Sequence, residues 1–383
     1  MKRIVVALPV MVMVFLGGIY AWSLFVPALK EIYGFSASQT QLIFGTVITT
    51  YTTSMLWADK LINKIGFKGM IFSASLLFFA GYFLASVSGG SFLILLIGIG
   101  IFSGIATGFG YMSSISVPVN WFPEKKGLIT GFVSGGFAGG SILLTFIAGS
   151  LLNKGYDVLI VFRYIAFIYG FSMLLIAVLL PKSYKSKSLT PLAVKLPKRV
   201  ILRMFLAIFF GTFAGLLVIG NLKLIGYDYY TDMQLSLAIM LFAAANISGR
   251  IFWGWMSDKF PIILLLSIAL SMQGLATFLI GNFQFHLLVF YLLVLLIGAG
   301  FGANFVVFIH ETARLFGTKL IAKIYPLIFL GYGIAGIFGP LTGGVLFDIF
   351  GNFKMASFIS LIVSITGILI FGTKRPMKQT QLA

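Results

Sequence analysis

The chain has no cysteine, nine acidic residues and two histidines among 383 residues. The missing thiol excludes disulfides, thiolate nucleophiles and cysteine metal sites. The two histidines, His286 and His310, stand apart, and no apolar run carries a pair of carboxylates. The buried acid/base or metal constellations that an enzyme needs are therefore absent, and no cofactor is expected. Charge of any sign is scarce: 9% of residues are charged and 60% are hydrophobic, where a soluble domain has about a quarter charged. That balance excludes a soluble globular fold.

What is present is length without charge. Runs of about 20 apolar residues, enough to cross a bilayer, begin near residues 4, 38, 69, 91, 128, 158, 203, 235, 261, 286, 320 and 355. Only helices and closed barrels satisfy their backbone hydrogen bonds in lipid, and the runs show no alternation of period two. The expectation is an all-α membrane protein of twelve transmembrane helices. The opening "MKRIVVALPVMVMVFLGG" is shaped like a signal peptide, but the apolar run continues to Pro27 with no clear small-residue cleavage site, so it reads as a retained first span.

The formal charge of +18 would suit a nucleic-acid partner if it were clustered on a soluble face. It is not. With the N-terminus inside, five of the 27 lysines and arginines fall outside (Lys30, Lys154, Arg163, Lys223 and Lys354), Arg250 lies within a span, and the remaining 21 are cytoplasmic. This is the positive-inside pattern, so the partner of the basic charge is the bilayer. A multi-pass protein of the plasma membrane is expected, monomeric, with both termini cytoplasmic and no nucleic acid bound.

The longest polar interruption, "PKSYKSKSLTPLAVKLPKR", separates six spans from six. It divides the chain into a bundle over 1–181, a basic cytoplasmic linker over 182–199 and a bundle over 200–383. The halves echo each other. "NKIGFK" at Asn63 pairs with "DKF" at Asp258, "GFGY" at Gly108 with "GFGA" at Gly300, "WFPEKKG" at Trp121 with "LFGTK" at Leu315, and "FRYIAF" at Phe162 with "FKMASF" at Phe353, all at offsets of 191 to 195 residues. Parallel six-span repeats place a substrate site near the midplane between the halves.

Across its length the chain resembles the major facilitator superfamily. The loop pattern Gly-x-x-x-Asp-(Arg/Lys)-x-Gly-x-(Arg/Lys) occurs in degraded form twice. After the second span Asp59 replaces Gly and Asn63 replaces Asp, while Lys64, Gly66 and Lys68 match; after the eighth, Gly254, Asp258 and Lys259 match and Pro261 takes the later Gly position. The resemblance implies two pseudo-symmetric six-helix bundles. A narrower likeness, carried by "GGIYAWSLFVPALK", "GFGYMSSISVPVNWFPEKKGLITG", "GRIFWGWMSDK" and "LFGTKLIAKIYPLIFLGYGIAGIFGP", is to the oxalate/formate antiporter family and the related monocarboxylate transporters. It implies carriage of small carboxylates by exchange or with a proton, the partners being the anion and a counter-anion or proton.

Arg250 carries the functional reading. It lies two turns before Asp258, about 12 Å deeper along a helix, with Asn246 and Gly254 as its i−4 and i+4 neighbours. An arginine there either snorkels to the cytoplasm or faces a polar cavity and grips a carboxylate with its permanently charged fork. The resemblance implies the second, because related carriers place a substrate arginine at this point. They also place a lysine in the eleventh span for a second carboxylate, and Tyr332 stands there instead. Lys323 falls nine residues earlier at the cytoplasmic end, which favours a monocarboxylate such as formate or lactate over oxalate.

Tyr20, Trp22, Tyr111, Tyr325 and Tyr332 are candidate walls of the site, Asn246 is placed to orient Arg250, and Asn304 is a further polar candidate. Glu311 and Arg314 have i,i+3 spacing for an ion pair at the end of the tenth span. With Asn63, Lys64, Gly66, Asp258 and Lys259 they read as gating or structural residues. Glycines recur every four residues at Gly100, Gly104 and Gly108 and at Gly131, Gly135 and Gly139, a spacing that permits close helix contact. A secondary carrier working by alternating access is expected. The alternative is a carrier of an unrelated solute, a drug or other metabolite, with Arg250 structural.

Overall fold

The structure is a computed structural model and describes residues 4–122, 126–180, 198–317 and 320–372. Nearly all of the expected linker, 182–199, lies outside the described residues, only Lys198 and Arg199 being included. The described residues contain helices and no strand. In the first half these are α1 (Ile4–Gly17), a 3-10 continuation (Gly18–Leu24), α2 (Val26–Tyr33), α3 (Ala37–Ser86), α4 (Phe92–Leu95), a π-helical stretch (Leu96–Ser103), α5 (Gly104–Trp121), α6 (Lys126–Asn153), α7 (Val158–Ile165), a second π stretch (Ala166–Gly170) and α8 (Phe171–Leu179). The second half contains α9 (Lys198–Gly226), α10 (Asp232–Ser257), α11 (Ile262–Asn282), α12 (Leu287–Phe316), α13 (Ile321–Phe350) and α14 (Lys354–Gly372).

Eleven segments among the described residues are long and apolar enough to cross a membrane. The difference from twelve lies in α3, a 50-residue helix that holds two of the expected spans. Its first part, "TVITTYTTS", is rich in hydroxyls, which lower its hydropathy without preventing helix formation. The hydroxyls are spent locally: Thr46 donates to the carbonyl of Leu42, Thr53 to that of Thr49 and Ser54 to that of Tyr51, the means by which such residues are accommodated inside a membrane helix.

The chain forms two compact units, Met1–Leu192 and Ala193–Ala383. Within the first, α1 packs on α6, the start of α3 on α5, and the rest of α3 on α7 and α8. Within the second, α9 packs on α13, α10 on α12, and α11 on α14. Each unit thus pairs its first span with its fifth, second with fourth and third with sixth. The punctuation repeats as well. Ser36 and Gln39 form a capping box at the start of α3, and Thr231 and Gln234 form one at the start of α10, 195 residues later. Each box satisfies two backbone N–H groups that a helix start leaves open.

The turn closing each second span is made differently. In α3 the chain reverses at Gly66 (φ 72°, ψ 170°), a conformation open to glycine and costly for other residues. Lys68 then donates to the carbonyls of Val178 and Leu180, 2.6 and 3.3 Å away, where a cation suits a helix C-terminus. In the second unit α10 ends at Ser257, and Pro261 (φ −65°, ψ 140°) opens α11. The later Gly of the loop pattern is therefore a hinge in one half and a proline start in the other.

The glycine register in α6 differs from the expected one. A Cβ at Gly131 or Gly135 would meet nothing within 4 Å, whereas Cβ atoms at Gly136 and Gly140 would lie 3.1 and 2.1 Å from the carbonyl oxygens of Val10 and Val14. The contact face of α6 is thus one position off the series 131, 135, 139, because "SGGFAGG" offers two interleaved glycine rows and α1 packs on the other one. The row Gly100, Gly104, Gly108 does face α3: Cβ atoms at Gly104 and Gly108 would lie 1.8 and 1.9 Å from the hydroxyls of Thr50 and Ser54.

Candidate functional site

The α10–α12 pair of the second unit positions Arg250. Glycine removes the side chains that would hold the helices apart. A Cβ at Gly298 would lie 2.5 Å from the carbonyl oxygen of Phe242, and one at Gly249 would lie 2.5 Å from that of Ala299. At Gly302 a Cβ would come within 2.6 Å of the Asn246 carbonyl and 3.1 Å of the Arg250 nitrogen. One turn on, the Trp253 indole donates to the Ala299 carbonyl at 2.9 Å, pinning the crossing.

Arg250 is buried, 5% exposed, and Asn246 is fully buried. Nε of Arg250 donates to Oδ1 of Asn246 at 3.1 Å, and the guanidinium carbon lies 4.2 Å from the ring centroid of Phe305 on α12. Both of these partners are neutral. Insertion scales put the cost of an arginine at mid-membrane near 3 kcal/mol; a desolvated cation–π contact returns about 2 kcal/mol and a hydrogen bond to a charged group about 2 kcal/mol. The terms nearly cancel, so this environment holds the cation in place while leaving its charge uncancelled by these two neighbours.

The rings extend onto α13. Phe305 lies 5.5 Å from Tyr332 and 6.1 Å from Phe329. Phe329 stacks on Tyr332 at 4.8 Å and on Tyr325 at 5.2 Å. Four of the residues singled out from sequence, Arg250, Asn246, Tyr332 and Tyr325, are thereby joined into one cluster by Phe305 and Phe329, which sequence reasoning missed. In a chain with 41 phenylalanines neither carries a signal of its own; the spacing of Phe329, four residues after Tyr325 and three before Tyr332, was the only available hint. Tyr332 is fully buried. Lys323 is exposed and is the only basic residue of α13. Asn304 points elsewhere, donating to the Gly211 carbonyl on α9 at 2.9 Å.

In the first unit Tyr20 and Tyr111 also come together, through Phe137 and Tyr51. Phe137 lies 5.5 Å from Tyr20, 5.4 Å from Tyr111 and 5.9 Å from Tyr51. Trp22 is not part of this group: its indole donates to the Thr40 carbonyl at 3.0 Å and its ring packs on Phe25. Its donor ties the 3-10 segment to the start of α3.

The charged residues at the helix ends form a separate group. Arg314 donates to both carboxylate oxygens of Glu311 at 2.6 Å, a bidentate pair. His310 Nε2 lies 3.3 Å from Asp258 Oδ1, and the Lys259 ammonium lies 3.7 Å from the centroid of Trp255. Asn63 and Lys64 are exposed beside the Gly66 hinge. A cavity of about 190 Å³ opens here, bordered by Ser257, Pro261, Val307, His310, Glu311 and Arg314. Its carboxylate and guanidinium neutralise each other.

Comparison with known proteins agrees with this anatomy. The family model described as Major Facilitator Superfamily matches residues 7–340 and 204–382. The chain is 29% identical to the uncharacterized MFS-type transporter YhjX of Escherichia coli over 84% of this chain and 82% of that protein. It is 24% identical to the oxalate:formate antiporter of Oxalobacter formigenes over 95% and 88%. A structure of the xylose transporter XylE from E. coli superposes with a TM-score of 0.74 at 16% identity, covering 98% of each chain, a likeness of fold.

Proposed function

The chain belongs to the Major Facilitator Superfamily, a family of transporters and not of enzymes, and from that premise we propose that it carries a small monocarboxylate, with Arg250 as the anion grip. It is a multi-pass membrane protein. The observation that carries the proposal is the guanidinium at 5% exposure, set against a neutral amide and an aromatic face. A buried cation so placed favours an anion over a neutral solute, and its planar fork suits a carboxylate. Tyr332 in place of a second cation favours one negative charge over two. The likeness to an oxalate:formate antiporter supports a carboxylate in general.

Transport follows by alternating access in the plasma membrane, with both termini cytoplasmic and the protein acting as a monomer. Tyr111, Tyr20 and Tyr325 serve as walls of the path. Substrate neutralises the buried cation, so the loaded carrier reorients more readily than the empty one, which favours exchange against a second anion over symport with a proton. The Gly66 hinge, Asn63, Lys64, Asp258, Lys259 and the Glu311–Arg314 pair act in gating or in holding helix ends. The test is uptake of formate, acetate, lactate and oxalate into liposomes containing purified protein, with and without internal anion or a pH gradient. Arg250→Gln should abolish carboxylate uptake while the protein accumulates normally. Undiminished uptake by that variant would refute the site.

A further inference from the structure

The second and fourth spans cross alike in both units, which fixes how their residues correspond. A Cβ at Gly104 would lie 2.8 Å from the Val47 carbonyl oxygen, and one at Gly108 would lie 2.5 Å from that of Tyr51. In the other unit Gly298 and Gly302 meet the carbonyls of Phe242 and Asn246, the residues 195 positions after Val47 and Tyr51. Gly108 therefore corresponds to Gly302, not to the Gly300 of the sequence echo. The starts of the fourth spans match as well, Ser91 capping one and His286 the other. From cap to first crossing glycine there are 13 residues in the first unit, 91 to 104, and 12 in the second, 286 to 298.

The surplus residue has a visible home. α12 is α-helical from Leu287 to Phe316, whereas the first unit's fourth span is π-helical from Leu96 to Ser103. The wider i→i+5 winding takes up an extra residue without breaking the helix. Hydroxyls attend its carbonyls: Ser103 donates to that of Ile99, and Thr50, on the second-span part of α3, lies 2.7 Å from that of Gly100. The Thr50 hydroxyl is also 2.8 Å from the Thr46 carbonyl of its own helix. It carries one proton, so it serves one of these acceptors fully at a time. Ala245 stands at the equivalent place in the second unit and has no hydroxyl. Where the π stretch crosses the third-span part of α3, Gly98 meets Gly81, each backbone within 2.5 Å of the other's missing Cβ, so no side chains interlock there.

We propose that Leu96–Ser103 is a swivel in the fourth span of the first unit, with the Thr50 hydroxyl as its latch. With the proton on the Gly100 carbonyl the wide turns are held. Turned back to Thr46, the hydroxyl releases them, and the leading turn Phe92–Leu95 rotates against Gly104–Trp121, whose glycines stay seated on α3. A surplus residue that moves by one position turns the residue it passes through about 100°. The second unit, with neither the extra residue nor the hydroxyl, keeps its fourth span rigid.

The test is hydrogen exchange by the purified protein in lipid nanodiscs, comparing residues 96–103 with their counterparts 291–297. The first segment should exchange about tenfold faster or more. Thr50→Val should speed it by about a further fivefold, the worth of one hydrogen bond, and Thr50→Ser, which keeps the donor, should stay near wild type. Deletion of Ile97, a partly exposed residue, equalises the two spans and should slow the segment to the rate of 291–297. Because the chain has no cysteine, spin labels on Leu93→Cys and Phe146→Cys, both exposed sites, report the rotation directly: two distances in the wild type and one after the deletion. A single distance in the wild type, equal exchange in the two fourth spans, or no effect of Thr50→Val overturns the proposal. Should the deletion variant fail to accumulate, the threonine variants and the wild-type distances still decide it. None of these measurements is an uptake, so their outcome is separate from the reading of Arg250.

Discussion

The two units share a plan and differ in the side chains at the second-span position of Arg250. Capping boxes 195 residues apart set the same register at the start of α3 and α10, and at that offset Asn246 corresponds to Tyr51 and Arg250 to Met55. The fifth spans agree: Gly136 meets Val10 and Gly331 meets Phe205, both pairs 195 apart, so Tyr332 corresponds to Phe137. Tyr51, Met55 and Phe137 of one unit therefore stand where Asn246, Arg250 and Tyr332 stand in the other. One is an aromatic cluster, the other a cation with an aromatic wall. The helix pairing is common to both, so the two units differ in the side chains carried on a repeated frame and not in the frame itself.

The comparison can be broken most directly by making the second unit like the first. Arg250→Met should lower carboxylate uptake by about a hundredfold or more, the worth of a buried charge-assisted hydrogen bond, measured as initial rate in liposomes at equal protein content. Placing the charge in the first unit instead should not restore uptake. Met55 is 2% exposed, and Met55→Arg lacks the amide, so it should cost about 3 kcal/mol of membrane stability and reduce the amount of folded protein in detergent.

A second comparison sets two glycines of α6 against each other. Gly140→Ala forces a methyl into the Val14 carbonyl and should destabilise by about 1–3 kcal/mol, seen as a lower melting temperature. Gly135→Ala, with nothing within 4 Å, should be neutral or up to about 1 kcal/mol stabilising through helix propensity. Equal shifts would show that α1 does not pack on the Gly136–Gly140 row.

Aromatic residues should matter more beside the cation than away from it. Phe305→Leu removes the face 4.2 Å from the guanidinium and should raise the half-saturating anion concentration about tenfold. Phe137→Leu in the first unit should change it by about twofold or less, since no cation–π contact is lost. Reversal of that order would place the anion with the tyrosines of the first unit.

The smallest expected effect is at the helix ends. Tyr33 donates to both oxygens of Asp157, 3.0 and 2.8 Å away, and burial, followed by this bond and the carboxylate charge, pushes its phenol up to about 12. A phenol raised above its unfolded value stabilises the fold in its neutral form. That contribution is complete below pH 10 and is lost as the pH rises from 10 toward 12. Tyr33→Phe should accordingly lower the melting temperature by about 2 °C at pH 8, with the gap to wild type closing above pH 10. In the second unit Tyr230 donates to the neutral carbonyl of Phe285, so Tyr230→Phe tests the same end without the carboxylate.

Much of this was legible in the sequence because lipid makes charge conspicuous. Arg250 stood out as a basic residue deep in an apolar run, and Asn246 followed from helical spacing alone. The hydroxyl-rich first part of α3 was read as a span from its helix-length run, although its hydropathy is low. What stayed hidden was packing direction. Phe305 and Phe329 look like any other apolar residue until α12 and α13 are placed. Nor does spacing reveal that the Trp22 N–H finds the Thr40 carbonyl. The α6 glycines were assigned to the wrong row because two rows fit the spacing equally well and only contact with α1 distinguishes them.

Gly302 has no chemistry of its own, yet a methyl there would press on the backbone of both Asn246 and Arg250. The proposed anion grip consequently depends on an absence of atoms as much as on a guanidinium. A mutational scan of transport should find Gly302 about as intolerant as Arg250, although an inspection confined to polar side chains would pass over it. On the proposed reading, substitutions on the Phe305 and Tyr332 side of the cluster should alter substrate range with less loss of folded protein than Gly302→Ala, where the smallest possible addition presses on the backbone of Asn246 and Arg250.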